Sequence, residues 1–136
     1  MEITAKTKAA LMSEYVAFVD NKSFCFVEPK EKQKFHRESK KILRIVAQEL
    51  DYQAGNYEIR VNKGDLATSG SITLTSSTLY ISIQGAEAYR GIQILFRSRS
   101  RPSATHQAPI HSLKDLSLFI RRLKAVSETG QRMKAG

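Results

Sequence analysis

The fold is decided by four short segments of the sequence, YEIRV at residues 57–61, SITLT at 71–75, LYISIQ at 79–84 and IQILFR at 92–97. In each segment the apolar side chains recur at every second position, which is the period of a half-buried β-strand. Most of the alternate positions carry polar side chains. The pattern predicts an antiparallel meander of about four strands, with one apolar face that needs a cover and one polar face that can meet water or a partner.

Two N-terminal segments have the apolar spacing of amphipathic helices. The first helix is predicted over residues 4–20. The second is predicted from Pro29, whose fixed φ suits the first position of a helix, to about Leu50. The side chains predicted to be buried are Leu11, Tyr15, Phe18 and Val19 in the first helix and Phe35, Ile42, Leu43, Val46 and Leu50 in the second.

A third helix is predicted near the C-terminus. Ser112 and Asp115 resemble a capping box, with Asp in place of the usual Glu or Gln, and the helix is expected to end near Ser127. The chain is therefore predicted to be an α+β single domain over residues 1–136, in which two N-terminal helices and a C-terminal helix cover one sheet face. Residues 128–136 are expected to be a flexible basic tail.

Turns and an apolar segment complete the predicted chain path. Gly55 turns the chain into the sheet, the sequence at 62–65 predicts a turn, and Ser76 with Ser77 fits a hairpin turn. Gly70 marks a bulge or a close backbone approach. Residues 24–27 are apolar and predict a short extended segment between the first two helices.

Length and composition favour one ordinary globular domain. The chain has 136 residues and 41% hydrophobic residues, enough for a real core. The single cysteine, Cys25, excludes an intramolecular disulfide framework and favours a reducing compartment. No apolar run has the length of a membrane span, and the N-terminus lacks the apolar core of a signal peptide. We expect a cytoplasmic protein without a membrane partner.

The net charge of +9 is concentrated in two blocks. Residues 29–50 carry seven cations and three anions, which gives +4, and residues 97–136 carry nine cations and two anions, which gives +7. Such blocks attract polyanions through a long-range, salt-sensitive field. The charge predicts nucleic acid, or an acidic protein or nucleoprotein complex, as the partner; a surface that only confers solubility is the alternative.

Three groups of cations are candidate polyanion-binding residues. Lys34, Arg37, Lys41 and Arg44 recur at helical spacing on one side of the second helix, where a merely solvated face is the alternative. Arg97, Arg99 and Arg101 occupy alternate positions from the end of the last predicted strand onward, among serines, and project from one face if the strand continues. They suit bidentate contacts to phosphate or carboxylate, although a flexible basic loop has the same composition. Arg121 and Arg122 are expected on the outer side of the third helix.

The polar sheet face supplies a further set of possible contacts, Arg60, Tyr80 and Gln93. Proteins that stack bases on a sheet place two or more aromatic side chains on its open face, and here the polar positions carry only Tyr80. The charge therefore predicts polyanion binding without predicting base readout. The rows of Ser, Thr and Tyr on this face could also form a homodimer interface.

No sequence motif predicts a reaction. There is no P-loop, GxGxxG, HExxH or paired-cysteine motif, and we expect no catalytic residues, metal site or cofactor. His36 is expected to be a solvated side chain among lysines. An enzyme that uses Arg97, Arg99, His106 and His111 around a phosphorylated substrate is the less favoured alternative.

Part of the sheet also resembles a loose family of small, uncharacterised bacterial and phage proteins. The resemblance lies in Tyr57, Glu58, Ile59, Arg60, Asn62, Lys63 and Gly64, in Ser69, Gly70, Ser71, Ile72, Thr73 and Leu74, and in Ile94, Leu95, Phe96, Arg97 and Ser98. In those relatives a loop rich in Gly, Lys, Asp and Asn follows the final strand, whereas this chain has residues 99–107 there. The resemblance implies a phage or mobile-element accessory protein located in the host cytoplasm.

Two functional hypotheses follow from these observations. The first is a non-enzymatic basic protein that binds nucleic acid or a nucleic-acid-processing complex. The second, by analogy with small basic phage proteins, is a counter-defence inhibitor that binds an acidic protein surface or a nucleotide signal of a host defence system.

Overall fold

The computed structural model describes residues 5–20, 29–62, 70–86, 91–99 and 106–135. Along the chain these form α1 (Ala5–Asp20), α2 (Pro29–Glu49), β1 (Tyr57–Asn62), β2 (Ser71–Ser76), β3 (Leu79–Ala86), β4 (Gly91–Ser98), β5 (His106–Pro109), a 3₁₀ helix (Ile110–Asp115) and α3 (Leu116–Ala135). The predicted α+β class is confirmed. The expected segment at 24–27, Cys25 and the turn residues 63–65 lie outside the described residues. In the described part of the chain, no helix is long and apolar enough to cross a membrane.

The five strands form one antiparallel meander in the order β1-β2-β3-β4-β5. Its apolar face packs against the helices: α2 contacts β1 and β2, α1 contacts β4 and the 3₁₀ helix, and α3 contacts β3 and β4. The core of this layer is fully buried and includes Phe35, Leu43, Ile72, Leu74, Ile81, Ile83, Ile94, Phe119 and Leu123. The other face of the sheet carries the polar side chains, as the alternation predicts.

The fifth strand is missing from the sequence prediction. β5 has only four residues, HQAP, and only Ala108 is buried, so it shows too little alternation to be recognised from sequence. It pairs with β4 through Gln93 opposite Pro109 and Phe96 opposite His106. Residues that were expected to belong to a loop therefore form one edge of the sheet.

Helix α2 matches its prediction closely. It begins at Pro29 and ends at Glu49, and every residue predicted to be buried along it is buried. The end is a Schellman motif, in which the N–H of Tyr52 donates to the carbonyl of Ala47 and the N–H of Asp51 donates to the carbonyl of Gln48, both at 3.0 Å. Asp51 takes the left-handed conformation of this motif, with φ of 61°, a position where glycine is usual.

Helix α1 has a buried side slightly different from the predicted one. Met12 and Val16 are buried with the predicted Tyr15 and Val19, whereas Leu11 and Phe18 are half-buried at the margin of the core. The Tyr15 hydroxyl lies 2.6 Å from the Ser39 hydroxyl of α2. Burial raises the pKa of Tyr15 well above its usual value, so this pair is a neutral hydrogen bond inside the helix layer.

The start and end of the third helix differ from the prediction. The residues from Ser112 to Asp115 belong to the 3₁₀ helix, and Asp115 is the N-cap of α3: its carboxylate accepts a hydrogen bond from the N–H of Leu118 at 3.2 Å. Helix α3 continues to Ala135, past the predicted end at Ser127 and into the stretch for which the sequence predicts a flexible tail.

Glycine conformations explain two of the turns. Gly55 has φ of +95° and open space around the position of a Cβ, so it turns the chain into β1 as predicted. Gly70 has φ of 78° and stands immediately before β2, at Ser71. It therefore sets the entry into the strand and is not a bulge within it, so the bulge alternative of the prediction is wrong.

Candidate polyanion-binding surface on the open sheet face

The open face of the sheet is built from side chains that point away from the helices. The strand registers place them in three rows across the sheet: Glu58, Thr75, Tyr80 and Arg97; Arg60, Thr73, Ser82, Leu95 and Gln107; and Asn62, Ser71, Gln84, Gln93 and Pro109. The three sheet-face residues predicted from sequence, Arg60, Tyr80 and Gln93, thus lie on one surface, one in each row.

Arg97 lies over the ring of Tyr80, its direct cross-strand neighbour. The guanidinium carbon is 4.5 Å from the ring centroid, within the range of a cation–π interaction. Both side chains are half-buried. The ring orients the guanidinium but carries no formal charge, so the positive charge of Arg97 remains available to an anion.

Arg99 is held by the turn between β2 and β3. Its Nη1 donates to the carbonyl of Ser76 at 3.2 Å, and its backbone N–H donates to the carbonyl of Thr78 at 3.0 Å. Arg99 is exposed and, like Arg97, its partners here are neutral. Arg101, the third predicted arginine of this group, lies outside the described residues.

A hydroxyl network fixes the turn that holds Arg99. Ser76 Oγ accepts hydrogen bonds from the N–H of Thr78 at 3.3 Å and of Leu79 at 3.0 Å, and it donates to the Tyr52 hydroxyl at 3.2 Å. The bond from the N–H of Thr78 to the Ser76 hydroxyl, two residues earlier, forms an ST-turn that stabilises this turn. The role of Tyr52 was not predicted, because nothing in the sequence spacing relates it to a turn so far along the chain.

Arg60 differs from the other two arginines because it is paired with a carboxylate. Its Nε lies 2.9 Å from Oε1 of Glu58, two residues earlier on the same strand, and both side chains are exposed. The hydrogen bond from Arg60 to Glu58, and then the charge of Glu58, raise the pKa of Arg60. Arg60 therefore adds donors to the surface but little net charge.

An open groove of about 600 Å³ runs between these groups. Its lining includes Arg60, Tyr80 and Arg99, the hydroxyl side chains of Ser71, Thr73 and Thr75, and Glu58, the carboxylate partner of Arg60. Thr73 donates to the Ser82 hydroxyl at 3.3 Å. Guanidinium and hydroxyl donors on one surface match the acceptor oxygens of phosphate groups.

The predicted basic side of α2 lies on the helix layer, away from the open sheet face. Lys34, Arg37, Lys41 and Arg44 are all exposed, but Glu38 stands among them: its carboxylate is 3.7 Å from Nε of Arg37 and 3.5 Å from Nζ of Lys41. Lys34 lies over the ring of Phe18, with Nζ 4.6 Å from the centroid. Glu38 therefore offsets part of the charge of Arg37 and Lys41, whereas the ring of Phe18 only orients Lys34.

The third group of predicted cations forms a separate surface. Arg121 and Arg122 are exposed on α3, whose buried side, with Phe119 and Leu123, packs into the core. Because α3 covers the apolar face of the sheet, these arginines point away from the polar face. The structure therefore places the predicted cations on different sides of the molecule.

His36 and His106 do not lie on the polar face of the sheet. His36 is only 8% exposed, and its ring centroid lies 5.7 Å from that of Phe35. The prediction that His36 is solvated was therefore wrong, because the buried side of α2 extends to this residue. His106 is exposed and stacks on Phe96, with ring centroids 5.4 Å apart. The side chain of His111 lies outside the described residues. Within the described ranges, no three His, Cys, Asp or Glu side chains are arranged to hold a metal ion.

The open sheet face gathers more of the predicted site residues than any other surface described above. Arg60, Tyr80, Gln93, Arg97 and Arg99 lie on it. Comparisons of the chain with protein-family models, curated proteins and solved structures give no match. The functional interpretation accordingly follows from the chemistry of this surface.

Proposed function

We propose that the protein is a non-enzymatic nucleic-acid-binding protein that uses its open sheet face. The observation that carries the proposal is the position of Arg97 and Arg99, which neutral partners hold beside a groove lined with hydroxyls. Arginine in a fixed orientation suits phosphate oxygens. The net charge of +9 supplies the long-range attraction that such binding needs.

The chemistry of the surface favours contacts to the sugar–phosphate backbone over base readout. Tyr80 is the aromatic side chain of the three polar rows, and Arg97 already covers its ring. Base stacking on a sheet usually needs two or more exposed rings. We therefore propose binding with little sequence preference, either to free nucleic acid or to nucleic acid within a processing complex.

The test is the salt dependence of binding. Fluorescence anisotropy with a labelled single-stranded oligonucleotide, and with its duplex form, gives the association constant at several salt concentrations. Each phosphate contact contributes a slope of about −0.7 for single strands or about −0.9 for duplex DNA in a plot of log K against log salt. For the two ordered arginines, Arg97 and Arg99, we expect a slope of about −1.4 with the single strand and about −1.8 with the duplex. Absence of binding at low salt would contradict the proposal.

An alternative proposal keeps the same surface but changes the partner. The groove volume of about 600 Å³ lies within the range of small-ligand sites, and its donors suit the phosphates of a nucleotide signal. The protein would then act as a phage counter-defence inhibitor, binding such a nucleotide or an acidic protein surface in the host cytoplasm. Purification from cells with and without nuclease separates the alternatives: a protein or a nucleotide that remains bound after nuclease treatment favours the inhibitor.

A further inference from the structure

We propose that strand β1 is a dimerisation edge, across which a second copy of this chain pairs antiparallel about Ile59 and joins the two five-stranded sheets into one. This goes beyond the proposed function and does not depend on it. It rests on the difference between the two sheet edges, on the direction of the backbone hydrogen-bonding groups and on the positions of Glu58 and Arg60.

Three residues of β1 direct their backbone N–H and C=O groups away from the sheet. The N–H of Arg99 donates to the carbonyl of Thr78 at 3.0 Å, which continues the register of β3 with β4. In antiparallel sheets the direction of these groups alternates along each strand. The alternation on β3 fixes that on its neighbour β2, and β2 in turn fixes that on β1, because two opposed residues direct their hydrogen-bonding groups either both toward or both away from each other. On β1, the N–H and C=O groups of Glu58, Arg60 and Asn62 therefore point toward β2. Those of Tyr57, Ile59 and Val61 point outward.

The two edges of the sheet differ in how well they are protected. By the same alternation, Pro109 occupies an outward-pointing position of β5 and has no N–H to offer, and β5 has only four residues. Short edges with proline are a common protection against pairing with another chain. β1 has six residues without proline, and Val61 is 39% exposed. β1 is therefore the edge suited to pairing.

Charge fixes a single register for this pairing. In the proposed antiparallel pairing, Ile59 lies opposite Ile59 of the second copy and Tyr57 lies opposite Val61 of the second copy. The outward-pointing backbone N–H and C=O groups of the two strands therefore face each other. On the open face, Glu58 of each copy lies opposite Arg60 of the other copy, which gives two such pairs. Directly opposed side chains have Cβ atoms about 4.5 to 5.5 Å apart, close enough for ion pairs.

The neighbouring registers are disfavoured by like charges. A shift of two residues in one direction sets Glu58 opposite Glu58, and a shift in the other direction sets Arg60 opposite Arg60. A shift of one residue would turn the apolar side chains to the wrong face. The existing contact between Glu58 and Arg60 is exposed, with 60% and 76% of the side chains accessible, so both groups can reach a second strand.

The test uses charge reversal at these two positions, with sedimentation velocity as the measurement. The wild-type chain is expected to be a dimer. The variants Glu58→Arg and Arg60→Glu each bring like charges together in the proposed register, and the dissociation constant of the dimer should rise at least about tenfold. An equimolar mixture of the two single variants should form a heterodimer, because opposite charges again face each other. The double variant Glu58→Arg/Arg60→Glu should also recover the dimer.

A backbone variant tests the edge independently of charge. In Val61→Pro the lost N–H is one that points away from β2, so the monomer should keep its fold while the dimer is lost; circular dichroism checks the fold. A wild-type chain that sediments as a monomer at near-millimolar concentration would overturn the proposal. A dimer that persists unchanged in both single-charge variants would overturn it equally.

Discussion

The basic side of α2 and the open sheet face look alike in sequence, because each has cations at the spacing of its own secondary structure, but they differ in what surrounds those cations. On α2, Glu38 lies within 4 Å of both Arg37 and Lys41. On the sheet, the guanidinium of Arg97 lies over an aromatic ring and that of Arg99 donates to the carbonyl of Ser76. A carboxylate neutralises a cation, whereas a ring or a carbonyl only orients it.

The number of cations on a surface is therefore a poor guide to anion binding. Exposed cations that already have carboxylate neighbours gain less from a phosphate and must release a local partner to bind it. Oriented cations with neutral partners retain their charge and lose less side-chain entropy when they bind.

The largest expected effect is on stability, through the turn that orients Arg99. Ser76→Ala removes the acceptor for the N–H groups of Thr78 and Leu79 and the donor to Tyr52, at a buried position. We expect a loss of about 1 to 2 kcal/mol in the free energy of unfolding, with weaker nucleic-acid binding at temperatures where the protein is still folded. Urea denaturation measures the first effect and anisotropy the second. Ser77→Ala, at the exposed neighbouring position, is the control and should change neither.

A smaller effect is expected from the ring beneath Arg97. Tyr80→Ala removes the surface that orients the guanidinium, which costs about 0.5 to 1 kcal/mol, or a twofold to fivefold weaker association with a single-stranded oligonucleotide. Tyr80→Phe keeps the ring and should bind almost as well as wild type. Equal losses in both variants would indicate that the hydroxyl, and not the ring, is the functional group.

Removal of the Glu38 carboxylate from the α2 surface should strengthen nucleic-acid binding, in contrast to the losses expected on the sheet. Glu38→Gln frees Arg37 and Lys41 from their common partner and raises the local charge by one. We expect binding to strengthen slightly, by about twofold at low salt, because the new charge acts through the screened field and not through an ordered site. Glu58→Gln is the matched variant on the sheet, where release of Arg60 should strengthen binding more. If Glu38→Gln strengthened binding more than Glu58→Gln, the side of α2, and not the sheet face, would be the main binding surface.

The last prediction concerns the end of α2, where a substitution should change stability and leave both binding surfaces unaffected. Asp51 combines a left-handed conformation with a negative charge at the negative end of a helix dipole. Asp51→Asn removes the unfavourable charge and keeps a side chain that tolerates this conformation, so stability should rise by about 0.3 to 1 kcal/mol. Thermal denaturation measures the gain, and an unchanged oligonucleotide affinity serves as the control.

Sequence patterns predicted the parts of the fold that depend on local periodicity. The alternation in residues 71–75 and 79–84 located two strands and their faces, and the apolar spacing after Pro29 located α2 almost to the residue. β5 was missed because four residues with one buried side chain show no period. The true start of α3 was missed because Ser112 and Asp115 fit a capping box that a 3₁₀ helix replaces.

The sequence predicted which residues belong to the candidate site, but not which of them contact each other. Parity along the strands assigned Arg60, Tyr80 and Arg97 to the polar face. Which of them meet depends on strand register, and the contact of Arg97 with Tyr80 follows from a pairing that sequence alone does not fix. The contacts of Glu38 with Arg37 and Lys41 on α2 depend on side-chain positions that the sequence does not give.

The most direct test of the account compares two matched double variants that each remove two cations. Arg97→Gln/Arg99→Gln changes the open sheet face, and Arg37→Gln/Lys41→Gln changes α2, so the net charge is the same in both. The measurement is the salt dependence of binding to one labelled single-stranded oligonucleotide. We predict that the sheet variant loses about tenfold or more in affinity at low salt and about 1.4 units of slope, whereas the α2 variant changes less than about threefold. Equal losses in the two variants, or a larger loss in the α2 variant, would contradict the account.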